Sequence, residues 1–199
     1  MAPKLVLSDI ADQRAYERER QEFRARVIGL KKRRRVHVGP VLTLVFENRD
    51  TIRFQIQEMA RVEKLITDEA IQGELDTYNP LVPDPGQLCA TVFIELTSDE
   101  ELREWLPKLV GIERCLVLQL GDGPAAPVVR AVTEEAHAEQ LTRDEMTASV
   151  HYVRWELTPD EVALLAAGPV SMVVDHPAYT HRAVLDAATV AELLADLRG

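Results

Sequence analysis

Side chains able to do chemistry collect in two parts of this chain. The first is FQIQEMARVE at 54–63, where Gln55, Glu58, Arg61 and Glu63 are interleaved with Phe54, Ile56 and Met59. Helical spacing puts Glu58 and Arg61 within pairing reach. It also puts Glu63 in an apolar seam formed by Ile52, Ile56, Met59, Ile66 and Ala70. Upstream, the seam Tyr16, Arg20, Phe23, Val27, Leu30 carries a guanidinium where an apolar side chain is expected. An unpaired charge on an apolar face costs on the order of several kcal/mol, so Arg20 and Glu63 each need a partner, a ligand or water. Two readings follow: the charges pair with carboxylates or cations of neighbouring helices at the core's edge, Glu63 being the leading partner for Arg20, or they face a site.

The second place is the C-terminal half. In HYVRW at 151–155, strand alternation puts His151, Val153 and Trp155 on one face and Tyr152 and Arg154 on the other. In DHPAY at 175–179, Pro177 restricts His176 to an extended backbone beside a carboxylate, a placement that serves a rigid turn or an acid–base residue. For an enzyme, the expected acid–base residues are Glu58, Glu63 and His176. For a binding protein, Arg20, Arg61, Tyr78, His151 and Arg154 are the expected ligand contacts. No metal site is expected, because the carboxylates lack the Glu-x-x-His pairs of di-iron bundles. Cys89 and Cys115 lack metal or redox spacing and read as reduced core residues. No cofactor can be assigned.

Charge is divided unevenly. Residues 1–35 carry 11 Lys and Arg against 5 Asp and Glu, and the remainder carries 12 against 28. The basic end peaks at Lys31–Arg35 without interleaved aromatics for base stacking, and the acidic body would attract it. Docking on its own body or on a second copy, as a possible homodimer, is therefore expected over nucleic acid. An apolar fraction of 46% supports a substantial core. With no long apolar run and no leader pattern, the expectation is a cytoplasmic protein without a membrane partner.

These residues need elements to position them. The pattern predicts a helix over Tyr16–Lys32, an edge or bulged strand over Val36–Glu47, a helix over Thr51–Thr67 capped by Asn48 or Asp50, and a further helix opened by Asp68. A central strand follows at Leu88–Leu96. Ser98 with Glu101, and Thr158 with Pro159 and Glu161, open two more helices through capping boxes. Strands at Arg114–Leu120, Val128–Val132, Met146–Leu157 and Val170–Asp175 and a last helix over Asp186–Leu197 complete the order. The expectation is one α+β domain over residues 1–199, with N-terminal helices packed on a mixed, mostly antiparallel sheet. Its helical half covers about 1–80 and its sheet-rich half about 81–199.

The segments RRRVHVGPVLTLVFENRDTIRFQIQEMARVEKL, ELDTYNPLVPDPGQLCATVFIEL, HYVRWEL and DHPAY resemble, across essentially the whole chain, an uncharacterised bacterial family, domain of unknown function three-five-zero-one. The resemblance brings no catalytic residue. It implies an association with rubrerythrin-like or iron–sulfur oxidoreductase-like redox proteins, whose genes neighbour those of the family. The resulting expectation is an accessory or binding protein that docks a partner or a small anionic ligand, in a redox or stress-related system. The alternative is an enzyme using a carboxylate and a histidine.

Overall fold

The computed structural model describes residues 4–133 and 146–198. Helix α1 covers Gln13–Arg33, with Asp12 accepting from the Ala15 amide at its start. A tight hairpin follows, β1 (Arg35–Val38) and β2 (Leu42–Glu47), where a single interrupted strand is expected. Gly39 makes the reversal: its φ is +73°, and a Cβ there would lie 2.5 Å from the Tyr179 hydroxyl and the His181 ring. Helix α2 covers Arg49–Glu63, opened by a reciprocal cap between Asn48 and Thr51. It stops earlier than its apolar pattern predicts, because Lys64 adopts the left-handed conformation at φ 57°. Thr67, one residue ahead of the expected Asp68, then caps α3 (Asp68–Tyr78).

Strand β3 (Gln87–Ile94) has β2 on one side and β7 (Val150–Glu156) on the other, the central position its apolar run predicts. Helix α4 (Asp99–Trp105) follows, capped by Ser98 and Glu101. Next come β4 (Leu116–Leu120), β5 (Val128–Arg130) and β6 (Val132–Thr133). After β7 come α5 (Pro159–Ala167), β8 (Val170–His176), β9 (Tyr179–Val184) and α6 (Ala187–Arg198).

The class is α+β, and the described strands form two sheets in which every pairing is antiparallel. Their orders are β1-β2-β3-β7-β6 and β5-β4-β8-β9. One core joins Leu42, Leu44 and Phe46 of β2 and Val153 and Trp155 of β7 to Leu116, Leu118 and Met172 of the other sheet. Tyr179 fastens the sheets together at one corner, its hydroxyl donating to the Val38 carbonyl at 2.7 Å and accepting from the Val41 amide at 3.1 Å.

A second, smaller core lies beneath the helices, with Leu5, Ile52, Ile56, Leu75, Leu81 and Val82 at its centre and Tyr78 and Tyr152 at its edge. Tyr16, Phe23 and Val27 form a third where α1 meets α2. The basic run closes the assembly. Arg33 Nε donates to Glu192 at 2.6 Å, and the buried Arg34 reaches both Glu192 and Asp196 of α6.

Candidate functional site: the helical corner

The N-terminal segment before α1 has little regular structure, so side chains from α2 and from the residue that caps the end of α3 must hold it. Asn79 both donates to and accepts from the Leu5 backbone, at 2.9 and 2.8 Å. Gln57 does the same to Ala11, at 2.9 and 3.0 Å, and Arg53 donates to the Asp9 carbonyl at 2.7 Å. These bonds satisfy backbone groups that burial would otherwise leave unpaired. They bring Leu7, Ile10 and Ala11 against Leu65, Ile66 and Ile71, forming a cleft of about 200 Å³ whose polar wall includes Asp12, Tyr16, Gln57, Arg61 and Asp68.

A charged network stands behind the cleft. Arg20 donates from Nε and Nη2 to the two oxygens of Glu58, each at 2.8 Å, and the Tyr16 hydroxyl donates to Glu58 Oε1 at 2.6 Å. Paired N–H donors from one guanidinium onto one carboxylate are the strong form of this contact. The Arg20 hydrogen bonds therefore hold Glu58 below the usual carboxylate range, with Tyr16 helping and partial burial opposing. Bonding to Glu58 raises Arg20 in turn. Burial, and then the adjacent Glu58 carboxylate, push the Tyr16 phenol up, so it remains a donor. Arg61 pairs with Glu17 across the α1–α2 interface.

Of the residues singled out from sequence, the fold thus gathers Arg20, Glu58 and Arg61. Glu63 is not the partner of Arg20: it is exposed at the last turn of α2, beyond the helix's buried residues Thr51, Ile52, Ile56, Gln57 and Ala60. Ile66, expected to continue that seam, lies beyond the left-handed Lys64 and is 81% exposed.

The remaining candidates are elsewhere. Tyr78 ends α3 and packs on the small core together with Tyr152. Arg154 Nε donates to Glu156 at 3.2 Å. His151 faces the main core, with Nε2 2.9 Å from both the Thr147 hydroxyl and the Ala148 carbonyl; burial lowers its pKa, Glu113 and the Ala148 bond opposing. His176 accepts the Ala178 amide at Nδ1, 3.2 Å, and donates from Nε2 to the Val110 carbonyl, 3.1 Å. Among the described residues no three His, Cys, Asp or Glu side chains form a group able to hold a metal ion.

Sequence reasoning missed the partners Tyr16 and Gln57 and the apolar walls Leu7, Ile10 and Leu65. Tyr16 carried a signal, standing four residues before Arg20 on the same seam.

A two-sheet α+β protein with a helical corner of this kind is a class defined by architecture. The family is defined more sharply: residues 4–197 match the family of proteins of unknown function DUF3501, and the chain belongs to it. It is also similar to a protein of unknown function from Burkholderia pseudomallei, known from its crystal structure. That protein is 40% identical, with a TM-score of 0.88 over 98% of this chain and 100% of the other. No curated protein shows significant similarity to the chain. No described helix is long and apolar enough to cross a membrane.

Proposed function

We propose that this is a cytoplasmic accessory or binding protein that docks a partner protein at the helical corner. The observation that carries the reading is Ile66, 81% exposed on the lip of an apolar cleft that Leu7, 37% exposed, also lines. Neighbouring exposed apolar side chains at one concave spot mark an interaction surface, whereas scattered ones need no explanation. The cleft's volume of about 200 Å³ suits one or two side chains, since small-molecule sites occupy about 300–1,000 Å³.

A small anion is the weaker reading, because it would have to displace Glu58 from Arg20 or Glu17 from Arg61. An enzyme has less support still: neither His151 nor His176 lines the cleft, and both ring nitrogens of His176 are engaged by backbone groups. For the partner's identity we adopt the class implied by the family resemblance, a rubrerythrin-like or iron–sulfur oxidoreductase-like redox protein.

Incorporating a photoreactive benzoylphenylalanine at position 66 in the living cell tests this. The expected result is one dominant protein adduct at 66 and none from the same probe at the exposed Val184 on β9. Identical adduct patterns at the two positions, or none at either, would overturn the docking reading. Mass spectrometry of the adduct tests the redox class separately.

A further inference from the structure

We propose that a second copy of this chain occupies the helical corner, two α1 helices lying antiparallel about a twofold axis. This rests on the reading of the corner as a docking surface and names an occupant that regulates it. At about 100° per residue, Gln13, Glu17, Arg24, Ile28 and Lys31 fall within about 60° of one another and form a single stripe along α1. The two ends of that stripe are complementary.

At its N-terminal end, Gln13 lines the apolar cleft, whose wall holds the exposed carboxylates Asp12 and Asp68. At its C-terminal end, Ile28 is 42% exposed. It stands between Arg24 and Lys31, for which no carboxylate partner exists among the described residues. An apolar side chain flanked by cations is the kind of group that an apolar cleft flanked by carboxylates accepts.

The spacing decides how such a contact closes. Ile28 lies about 22 Å along the axis from Gln13 at 1.5 Å per residue, too far to reach the cleft of its own chain. A head-to-tail contact through these two ends would propagate without limit unless its rotation closed a ring. Because both ends lie on the same stripe, however, an antiparallel pair satisfies both contacts at once and closes as an isologous dimer. The axis then passes near Arg20 and Gln21. Two arginines would repel each other there, but each Arg20 is already neutralised by its own Glu58.

Sedimentation velocity of the full chain at about 5 and 100 µM is the test. The expected result is a monomer converting to a species of twice the chain mass, with a dissociation constant that rises at least tenfold for Ile28→Glu and for Ile66→Glu. Both positions are exposed, so circular dichroism should report unchanged folding. The dimer should also weaken between about 0.05 and 0.5 M salt, as the screening length shrinks.

Orientation is read by mild oxidation in a Cys115→Ser background. A mixture of Ile28→Cys and Ile66→Cys proteins should form the crossed disulfide, and Ile28→Cys alone should not dimerise covalently. A monomer at 100 µM, a dimer indifferent to both glutamates, or efficient disulfide formation by Ile28→Cys alone would overturn the proposal. A monomer that still gives a single adduct at position 66 removes self-association and leaves partner docking standing. A glutamate-sensitive dimer whose adduct at position 66 is a second copy of this chain supports the twofold contact and removes partner docking, whereas such a dimer with no adduct at 66 overturns the proposed contact.

Discussion

Arg20 and Glu58 meet through two hydrogen bonds of 2.8 Å, and Tyr16 completes the carboxylate's shell at 2.6 Å. A cation on the buried seam of α1 is thereby tolerated without a ligand, and the crossing of α1 over α2 is fixed at one register. Arg20→Met and Glu58→Leu should each lower the unfolding midpoint in urea at pH 7, with the double variant recovering much of the loss. Because Arg20 holds Glu58 below its ordinary value of 4.5, the folded carboxyl binds its proton less readily than the unfolded one. The stabilisation is therefore complete above about pH 4.5 and is lost as pH falls through the lower folded value. Strictly additive losses, or a midpoint indifferent to pH 3, would refute the pairing.

The charge on Arg20 was legible as a need for a counter-charge, because four apolar neighbours at helical spacing define the seam it interrupts. Its partner was not legible. Glu58 and Glu63 are five residues apart, about 140° round the same helix, and only the packing of α1 on α2 decides which faces Arg20. Helix starts read well because Asn48, Ser98 and Thr158 announce themselves by side-chain caps. The end of α2 did not, since its left-handed residue is a lysine in place of the glycine or asparagine that usually marks a stop. The hidden end moved Ile66 from an assumed core seam to the lip of the cleft. The cleft's other wall, residues 7–11, has no periodicity to read and is placed by the side chains of Gln57, Arg53 and Asn79.

Arg34 sits almost wholly buried between Glu192 and Asp196, bonded to Asp196 at 2.6 and 2.9 Å. Burial opposes its charge, yet the two carboxylates hold the guanidinium protonated, and burial in turn pushes Asp196 up against the pull of Arg34. Removing the cation leaves two neighbouring carboxylates with little water. Arg34→Met should cost about 3–5 kcal/mol by chemical denaturation, and adding Asp196→Leu should restore part of it. A loss below about 1 kcal/mol, the size of a surface pair, would contradict this account. Since Arg33 and Arg34 are committed to α6, random DNA at about 0.15 M salt should bind weakly at best in a fluorescence assay, and micromolar binding that falls steeply with salt would overturn that expectation.

His151 predicts a separate pH window. Burial lowers it from its ordinary value of 6.5, Glu113 and the Ala148 carbonyl opposing, so the unfolded chain takes up this proton first. Its contribution is present above about pH 6.5 and declines as pH falls toward the folded value, by at most about 1.4 kcal/mol per pH unit for one proton. Urea unfolding at pH 7.5, 6.0 and 5.0 should show this decline, and His151→Gln should flatten it. The decline begins near pH 6.5, above the pH of about 4.5 at which that of Glu58 begins, which distinguishes the two effects. An equal slope in the variant would assign the decline to other groups.

His176 is built into the β8–β9 turn by both ring nitrogens, Nδ1 accepting from Ala178 at 3.2 Å and Nε2 donating to Val110 at 3.1 Å. The two bonds tie the hairpin to the segment that follows α4. Asp175, its neighbour in sequence, points to the exposed side of the strand, so the adjacency that suggested an acid–base pair is undone by strand alternation. Glutamine at 176 can keep one of the two bonds, so His176→Gln should change stability by no more than about 1 kcal/mol, whereas alanine, which leaves the half-buried Val110 carbonyl without its donor, should cost more, about 1–3 kcal/mol. Neither should alter the adduct formed at position 66. Loss of that adduct in a fully folded His176→Gln protein would show that the histidine does more than hold its turn, and would return it to the functional residues.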